Sequence, residues 1–448
     1  MTAFKSNAHL FIVYLLLLQF CSCRTMGQIT QQQSNSFFND SAVITGHVGI
    51  SIYEPATGKY LYNYNAEKNF IPSSNVKLFS LYAGLKYLGD SLVGMRYVEN
   101  DTAVFVYPSG DPTLLHVDFK SHPVIDFLKG IRKNIYLIDG FNSNAYGSGW
   151  SWSDYSDYYM AERSAMPVYG NTIAFELNKN KFETVPPASS SFTFLQNFAD
   201  SNKETNVLRD FYSNIFTTIQ NTKSNETVLT PFITSTTLAA KLLADTLHKN
   251  VDVIKYSAIP NNSSYNIKTI YSRPVDSLLK PMMFNSDNFF AEQTLLMASN
   301  EKLGYMSDQE MIDFLLKNDL KDLPTKPRWA DGCGLSRYNL FSPKNFIYIL
   351  NKMQNEFSIE RIKRILPTAG QGTLRGYYEN AVGSIYAKTG SISNNVSLSG
   401  YLYTKQNKLL LFSVMINNYS GSGRAGRKAI EQFIQGVRNT NLRPEYLE

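Results

Sequence analysis

The stretch IPSSNVKL at residues 71–78 contains an S-x-x-K string, Ser74 to Lys77, where an apolar helical run begins. Two other S-x-x-K strings begin at Ser277 and Ser299. Both lie in runs with the pattern of ordinary amphipathic helices, which predicts that their Ser and Lys side chains face solvent. Only the first string follows a proline and opens a helix, so it is the string that predicts a nucleophile.

Two further motifs follow in order, S-D-N at residues 286–288 and K-T-G at residues 388–390, and each occurs once. Any one of these short motifs alone is weak evidence. The ordered set S-x-x-K, S-D-N and K-T-G is the signature of penicillin-binding proteins and serine β-lactamases. It predicts a pocket that holds a serine nucleophile, two lysines and an amide, without a histidine.

The chain begins with the pattern of a signal peptide over residues 1–23. Lys5 supplies the positive start, residues 10–20 are apolar, and residues 21–23 are small. The apolar run is too short for a permanent membrane span, and no later stretch is long enough. We therefore expect an exported, periplasmic protein with no transmembrane segment in the mature chain. Lipidation of Cys23 is the alternative, although the residues before it fit a lipoprotein signal poorly.

Charge and composition exclude several classes of function. The formal net charge is +6 without a dense basic run, so nucleic acid is not an expected partner. The five histidines show no metal-ligand spacing, and we expect no metal and no other cofactor. Cys333 is the last cysteine once the leader is removed, which excludes an intrachain disulfide. We expect Cys333 to be a small buried residue and not a nucleophile.

The two ends of the chain predict one domain. Residues 46–64 alternate as a β-hairpin, residues 385–387, 396–403 and 409–416 read as successive strands, and residues 425–438 form an amphipathic helix. This pattern predicts an antiparallel sheet covered by helices.

The spacing of the motifs predicts an insertion. Ser74 and Ser286 are 212 residues apart, whereas 102 residues separate Ser286 from Lys388. We expect a catalytic domain at residues 24–88 and 268–448, with inserted domain or domains at residues 89–267. Residues 268–288 read as helical, whereas the insertion shows strand patterns at 102–106 and 192–198 and a helix at 236–247.

Further strings carry a family resemblance. They are GDPTL at 110–114, GWSW at 149–152, DGCGLSR at 331–337, LPTAG at 366–370 and GTLR at 372–375. With the three motifs, the chain resembles the D-alanyl-D-alanine carboxypeptidase/endopeptidases of the class C low-molecular-mass penicillin-binding proteins, the penicillin-binding protein 4 type. Cys333 stands where that family usually has serine or another small residue. The resemblance implies an α/β (α+β) fold: a transpeptidase or serine β-lactamase-like domain, with an antiparallel sheet flanked by helices, plus inserted β-rich domains.

The resemblance also implies catalytic roles. Ser74 is the nucleophile and Lys77 its base, since residues three apart share a helix face and a serine needs a base. Burial and the charge of Lys388 would lower the pKa of Lys77. Ser286 would relay a proton, and Asn288 would hold the substrate's peptide amide.

The implied substrate contacts lie around the same pocket. Lys388, Thr389 and Ser391 would bind the terminal carboxylate, and the backbone N–H groups of Ser74 and Ser391 would form the oxyanion hole. The other implied substrate-binding residues are Gly390, Ser393, Trp152, Asp154 and Arg337. Trp150 and Trp152 could instead be core anchors, Arg337 could be structural, and Asn75 and Asp287 are expected to be spacers.

The expected function is that of a serine-type D-Ala-D-Ala carboxypeptidase/endopeptidase. It would act on peptidoglycan peptides ending in D-Ala-D-Ala through an acyl-enzyme, and it would bind β-lactams. A β-lactamase is the alternative, but no E-x-x-L-N string with a deacylating Glu lies between Asn288 and Lys388. An inactive wall-binding scaffold is a third possibility, against which the intact motifs argue. The sequence leaves open the oligomeric state and the balance of carboxypeptidase and endopeptidase activity.

Overall fold

The computed structural model describes residues 36–440 apart from 142, 179–180, 188, 200–205, 222–224 and 260–265. The expected leader at residues 1–23, including Cys23, lies outside the described residues. Within the described part of the chain, no helix is both long enough and apolar enough to cross a bilayer.

The strands are β1 His47–Glu54, β2 Lys59–Tyr64, β3 Ser91–Glu99, β4 Ala103–Pro108, β5 Asn134–Asp139, β6 Thr172–Asn178, β7 Lys181–Val185, β8 Thr193–Ala199, β9 Asn206–Arg209, β10 Ile215–Asn221, β11 Asn225–Pro231, β12 Val251–Lys255, β13 Lys268–Pro274, β14 Ile385–Ile392, β15 Asn395–Tyr403 and β16 Leu409–Asn417. The helices are α1 Lys77–Tyr87, α2 Pro123–Gly130, α3 Thr236–Leu247, α4 Asp276–Phe284, α5 Asn288–Leu303, α6 Asp308–Lys317, α7 Pro343–Glu356, α8 Ile359–Ile365 and α9 Gly423–Asn439.

One sheet joins the two ends of the chain. Its order is β14-β15-β16-β1-β2, and every neighbouring pair is antiparallel. His47 at the start of β1 pairs with Asn417 at the end of β16. The predicted hairpin, late strands and terminal helix are therefore all present, and the hairpin and the late strands share one sheet.

Helices cover both faces of this sheet. The apolar side chains of β16 alternate: Val414 packs in a cluster with α9, whereas Met415 packs in the cluster that contains α1 and α7. Side chains in strands alternate between faces, so a strand buried on both sides is apolar throughout. Full burial of one such side chain contributes about 1.5–3 kcal/mol. The sheet is thus the middle layer of three.

The helix that follows the nucleophile string lies deep in this core. Residues Lys77 to Leu85 of α1 are all buried, which fixes the axis of the helix. A β-carbon on Gly84 would come within 2.8 Å of Leu279 and 2.9 Å of Thr294. Glycine therefore permits the close approach of α1 to α4 and α5, and this approach sets the distance between the first two motifs.

The insertion has its own sheets. A mixed five-stranded sheet has the order β12-β5-β4-β3-β13, and two three-stranded sheets have the orders β8-β10-β9 and β11-β6-β7. The strands expected at 102–106 and 192–198 correspond to β4 and β8, and the helix expected at 236–247 is α3.

The helical pattern expected from Lys268 is wrong for its first seven residues. Residues Lys268–Pro274 form β13, which pairs antiparallel with β3, and the helix begins only at Asp276. Pairing with a strand far away in sequence overrides the local pattern. We therefore propose that the insertion extends to about residue 274, beyond the predicted boundary at 267.

The expectation that both other S-x-x-K serines face solvent is also wrong for one of them. Ser277 is half-buried on α4, but Ser299 is fully buried on α5. The Ser299 hydroxyl donates to the carbonyl oxygen of Tyr305 at 2.7 Å. Residues Phe289 to Ser299 are all buried, so α5 is not the amphipathic surface helix that the pattern suggested.

Candidate active site

The nucleophile string contributes Ser74 to the lining of a cleft of about 750 Å³. Ser74 belongs to a single 3₁₀ turn, Ser73–Val76, that leads directly into α1. Its side chain is half-buried and lines the cleft. Lys77 is the first residue of α1, and its Nζ donates to the Ser74 Oγ at 3.0 Å. The expected pairing of Ser74 and Lys77 is therefore present.

Lys77 is fully buried, and three acceptors surround its amine. Besides Ser74 Oγ, Nζ donates to Asn288 Oδ1 at 2.6 Å and to the carbonyl oxygen of Cys333 at 2.7 Å. Burial lowers the pKa of Lys77 below its ordinary value, while negative charge nearby, including that of Asp331, acts in the opposite direction. The amine is thus positioned to accept the Ser74 proton.

The second lysine lies on the sheet, behind a serine that lines the cleft. Lys388 on β14 is fully buried, and its Nζ donates to Ser286 Oγ at 2.8 Å and to the carbonyl oxygen of Thr389 at 2.7 Å. Burial holds the pKa of Lys388 well below its ordinary value, and the charge of Lys77 lowers it further. Because like charges disfavour each other, the two buried ammonium groups cannot both keep their protons easily. That Lys388 lowers the pKa of Lys77 stays a prediction.

The S-D-N motif is fixed by the start of α5. Ser286 has a φ of +59°, and Asp287 caps the helix by accepting the N–H of Phe290 at 2.8 Å. Asn288 accepts from Lys77, and its Nδ2 donates to the carbonyl oxygen of Tyr159 at 3.1 Å. One N–H of the Asn288 amide is left for a substrate. Asp287 is therefore a helix cap rather than a spacer.

Asn75 also does more than separate two catalytic positions. Its side chain is fully buried and donates to Ser399 Oγ at 2.8 Å on β15. This bond ties the nucleophile turn to the sheet, so the expectation of a spacer is wrong here too.

The free edge of β14 supplies backbone donors to the cleft. The N–H of Ala387 donates to Pro367 at 3.0 Å, away from the partner strand β15. Backbone groups alternate in direction along a strand, so the N–H of Ser391 points to the same open edge. Ser391 also lines the cleft. This is the orientation that the predicted oxyanion hole requires of Ser391.

The rest of the K-T-G motif does not line the main cleft. Gly390 packs against backbone: a β-carbon there would lie 2.6 Å from the carbonyl oxygen of Pro72. The Thr389 side chain lines a neighbouring depression together with Tyr377 and Arg427. Gly390 therefore serves close packing between β14 and the nucleophile turn, and the direct substrate contacts predicted for both residues stay predictions.

A buried hydrogen-bond network that the sequence analysis missed supports Lys77 from behind. Asp331 accepts N–H bonds from Gly334 at 2.8 Å and Ser336 at 2.7 Å, and its Oδ2 accepts from Trp150 Nε1 at 2.9 Å. Trp150 is thus a structural anchor, as one alternative held. The composition around DGCGLSR gave no sign that its aspartate would be fully buried.

Glu292 completes this network on α5. Its Oε1 accepts the N–H of Cys333 at 2.8 Å, and its Oε2 lies 3.2 Å from Arg163 Nη1. Burial raises the pKa of Glu292 to about 7. Glu292, Asp331 and Cys333 offer ligand atoms within 4.8 Å of one another. However, backbone donors and Arg163 already occupy the carboxylate oxygens, so the group forms a hydrogen-bonded network rather than an open metal site.

Cys333 itself has the environment expected of a packing residue. Its thiol is fully buried beside Asp331, with Sγ 3.6 Å from Oδ2. Burial raises the pKa of the thiol well above its ordinary value, so the thiol stays protonated.

The rim residues predicted to contact substrate fall into two groups. Asp154, Arg337 and Ser393 line the cleft, and Arg337 Nη2 donates to the carbonyl oxygen of Ser393 at 3.1 Å. Trp152 does not line the cleft; it is 75% exposed and touches Phe211 edge-on. The suggestion that Trp152 anchors the core is therefore wrong.

The far wall of the cleft comes from the insertion and was missed. His116, Asp118 and Tyr158 line it. Burial lowers the pKa of His116 below its ordinary value. The only signal in the sequence was position, since His116 lies two residues after the GDPTL string.

Comparison with known proteins agrees with this geometry. The profile of the D-Ala-D-Ala carboxypeptidase 3 (S13) family matches residues 30–437, which is most of the chain. The chain belongs to this family. The match confirms the predicted family, of penicillin-binding protein 4 type, and the predicted enzyme class of serine DD-peptidases.

Two curated proteins are similar to this S13 peptidase along most of their length. The D-alanyl-D-alanine carboxypeptidase DacB of Haemophilus influenzae is 24% identical over 414 residues, covering 84% of this chain and 86% of its own. A D-alanyl-D-alanine carboxypeptidase of an Actinomadura species is 24% identical over 444 residues, covering 87% of this chain and 81% of its own.

Solved structures confirm the predicted fold of the S13 peptidase. Penicillin binding protein 4 of H. influenzae matches with a TM-score of 0.72 at 20% identity, covering 90% of this chain and 98% of that one. A penicillin G-acylated predatory endopeptidase of Bdellovibrio bacteriovorus matches with a TM-score of 0.50 at 16% identity, covering 87% and 92%.

Proposed function

We propose that this S13 peptidase cleaves the terminal D-Ala from peptidoglycan stem peptides, and D-Ala cross-links between them, through an acyl-enzyme on Ser74. The observation that carries the proposal is the 3.0 Å bond between Lys77 Nζ and Ser74 Oγ, which lines the cleft. In a second pair, Lys388 Nζ donates at 2.8 Å to Ser286 Oγ, and Ser286 lines the same cleft. Together they provide a base for the nucleophile and a path for the proton.

In the acylation step, Ser74 Oγ attacks the carbonyl carbon of the penultimate D-Ala while neutral Lys77 takes the hydroxyl proton. The carbonyl oxygen becomes an oxyanion that the N–H groups of Ser74 and Ser391 stabilise. When the C–N bond breaks, the leaving amine receives a proton through Ser286. In deacylation, water takes the place of the leaving amine and follows the same path in reverse.

The same acyl-enzyme explains penicillin binding. A β-lactam carbonyl acylates Ser74, but its leaving group stays tethered and obstructs water. No E-x-x-L-N string with a deacylating Glu follows the S-D-N motif. We therefore expect a long-lived penicilloyl adduct, which distinguishes this enzyme from a β-lactamase.

The rim of the cleft suggests the substrate side chain. Asp154 offers a carboxylate, and Arg337 offers a guanidinium that donates to a backbone carbonyl oxygen. A side chain with an ammonium and a carboxylate, as in diaminopimelate, matches this pair of charges. Ser393 would add a hydrogen bond. These features support a stem peptide with a zwitterionic third residue.

Export is part of the proposal. The pattern at residues 1–23 supports a cleaved leader and a periplasmic location, where peptidoglycan is accessible. A lipid on Cys23 is the alternative. The mass of the mature N-terminal peptide distinguishes the two.

The decisive experiment is incubation with a labelled penicillin, followed by peptide mass mapping. We expect a stable adduct on Ser74 alone, no adduct in Ser74→Ala, and normal labelling in the control Ser277→Ala. An adduct at another serine would overturn the assignment of the nucleophile. Rapid hydrolysis of the penicillin would favour a β-lactamase, and no labelling in the folded protein would favour an inactive scaffold.

A further inference from the structure

Arg427 on α9 reaches the end of β14 where the cleft opens. Its Nη1 donates to Ser391 Oγ at 3.3 Å, and its Nε donates to Tyr377 Oη at 3.3 Å. It also lines the depression that contains the Thr389 side chain. Arg427 therefore adjoins both hydroxyl groups of β14 that the sequence analysis assigned to carboxylate binding.

This guanidinium has no carboxylate partner among the described residues. The acid one helical turn further on, Glu431, is bound by Lys428 Nζ at 2.6 Å and by the N–H of Tyr378 at 2.6 Å. Within the described part of the chain, the hydrogen bonds of Arg427 go to two neutral hydroxyl groups. Its positive charge is thus available to an anion that enters the cleft beside Ser391.

The contact with Ser391 also sets the direction of that hydroxyl group. Because Arg427 donates to Oγ, one lone pair of the oxygen is occupied and the hydroxyl hydrogen is left to donate elsewhere. Ser391 lines the cleft, so its hydroxyl can donate toward a bound anion. The N-terminal end of α9, which begins at Gly423, adds partial positive charge nearby.

We propose that Arg427 is a positioning residue that recognises the free carboxylate of the leaving group. It turns the Ser391 hydroxyl into a donor and supplies the positive charge that balances the carboxylate. The inference rests on the proposed function and deepens it, because it names the residue that makes the enzyme prefer a free carboxyl end beyond the scissile bond.

The test uses two thioester probes, N-benzoyl-D-alanyl thioglycolic acid and its methyl ester. Both form the same benzoyl-D-alanyl enzyme on Ser74, and they differ only in the charge of the leaving group. The wild-type enzyme should have the higher kcat/KM for the acid. We expect Arg427→Gln to reduce the ratio of acid to ester by about tenfold, which is the size of one charge-assisted hydrogen bond.

Controls separate this role from a structural one. Arg427→Lys should restore part of the preference for the acid, and Arg424→Gln, one turn earlier on α9, should leave it unchanged. If hydrolysis of the common acyl-enzyme limits kcat, Arg427→Gln should leave kcat unaltered. The melting temperature of Arg427→Gln shows whether the variant is folded. In a Ser391→Ala background, Arg427→Gln should have a smaller effect than in the wild type.

The outcomes distinguish the two proposals. If both probes acylate Ser74 but Arg427→Gln slows them equally, the inference is wrong and the proposed function stands. An equal loss of preference in Arg424→Gln would also contradict a specific role for Arg427. If neither probe acylates Ser74 in the wild-type protein, the proposed function fails, and the inference fails with it.

Discussion

A β-carbon on Gly334 would lie 2.0 Å from the carbonyl oxygen of Ser73. Gly334 also has a φ of +90°, a conformation that favours glycine. Its N–H is held by Asp331 at 2.8 Å. The loop from α6 to α7 therefore presses its backbone directly against the turn that carries Ser74, and it fixes the position of the nucleophile.

Gly334→Ala should disable the enzyme although Gly334 contributes no catalytic side chain. The added methyl group must displace the Ser73–Ser74 peptide, and a shift of about 1 Å at a reacting atom costs about a hundredfold in rate. The measurement is the rate of penicillin acylation. Gly304→Ala is the matched control, because Gly304 has a φ of +87° but no atom within 4 Å of a β-carbon. Equal loss in both variants would contradict the argument.

Glu292→Gln should move the acid side of the pH–rate profile to lower pH. Acylation needs neutral Lys77, so its rate rises as the pH passes upward through the pKa of Lys77. The negative charge of Glu292 raises that pKa, and its removal therefore lowers it. The amide can still accept the N–H of Cys333. The comparison uses the pH–rate profiles of the wild type and of Glu310→Gln. Glu310 is an exposed glutamate on α6. An unmoved acid limb, or a shift to higher pH, would refute this coupling.

Asp154→Ala should reduce selectivity for the substrate side chain. A charge-assisted contact is worth about 1.5–3 kcal/mol, or about ten- to a hundredfold, and solvent reduces it at the half-exposed rim. We expect kcat/KM for a zwitterionic peptide ending in D-Ala-D-Ala, relative to one with an alkyl side chain, to fall about tenfold. Asp252→Ala, on β12 away from the cleft, should leave the ratio unchanged. If the two variants have the same ratio, Asp154 does not recognise the substrate side chain and its role is structural.

Cys333 should be inert in the folded enzyme. Its thiol is fully buried, and its pKa lies well above the ordinary value, so iodoacetamide at pH 8 should modify it only after unfolding. Mass spectrometry of the chain from residue 24 measures the modification. Cys333→Ser should keep its acylation rate and lose about 1 kcal/mol in the free energy of unfolding. Alkylation of native protein with loss of penicillin labelling would show that the thiol is exposed to the site.

The motifs and the ends of the chain were predictable because their signals are local. Alternating residues at 46–64 predict a hairpin, and Ser74 and Lys77 are three residues apart on one turn. The confirmed strands and α9 follow from the same kind of periodicity. The family signature then predicted that three distant motifs share one pocket, which periodicity alone cannot predict.

The missed features all depend on contacts between distant residues. Lys268–Pro274 becomes a strand because β3 is available to pair with it. Ser299 is buried because other elements cover every side of α5. Glu292 meets Arg163, 129 positions earlier in the chain. No periodicity in the sequence reports such pairings, so the network behind Lys77 and the caps around it emerged only from the structure.

The pairing of His47 with Asn417 has a consequence for biosynthesis. The strand β16, which borders β1 of the first hairpin, is made long after that hairpin, and Lys388 is made long after Ser74. A growing chain that contains Ser74 but not yet Lys388 therefore lacks the second lysine. It also lacks the complete sheet that packs against the turn of Ser74. Pairing between strands so distant in sequence is also intrinsically slow. The order of the strands thus keeps Ser74 without its second lysine until β14 to β16 have been made, and a product terminated before Lys388 lacks that group.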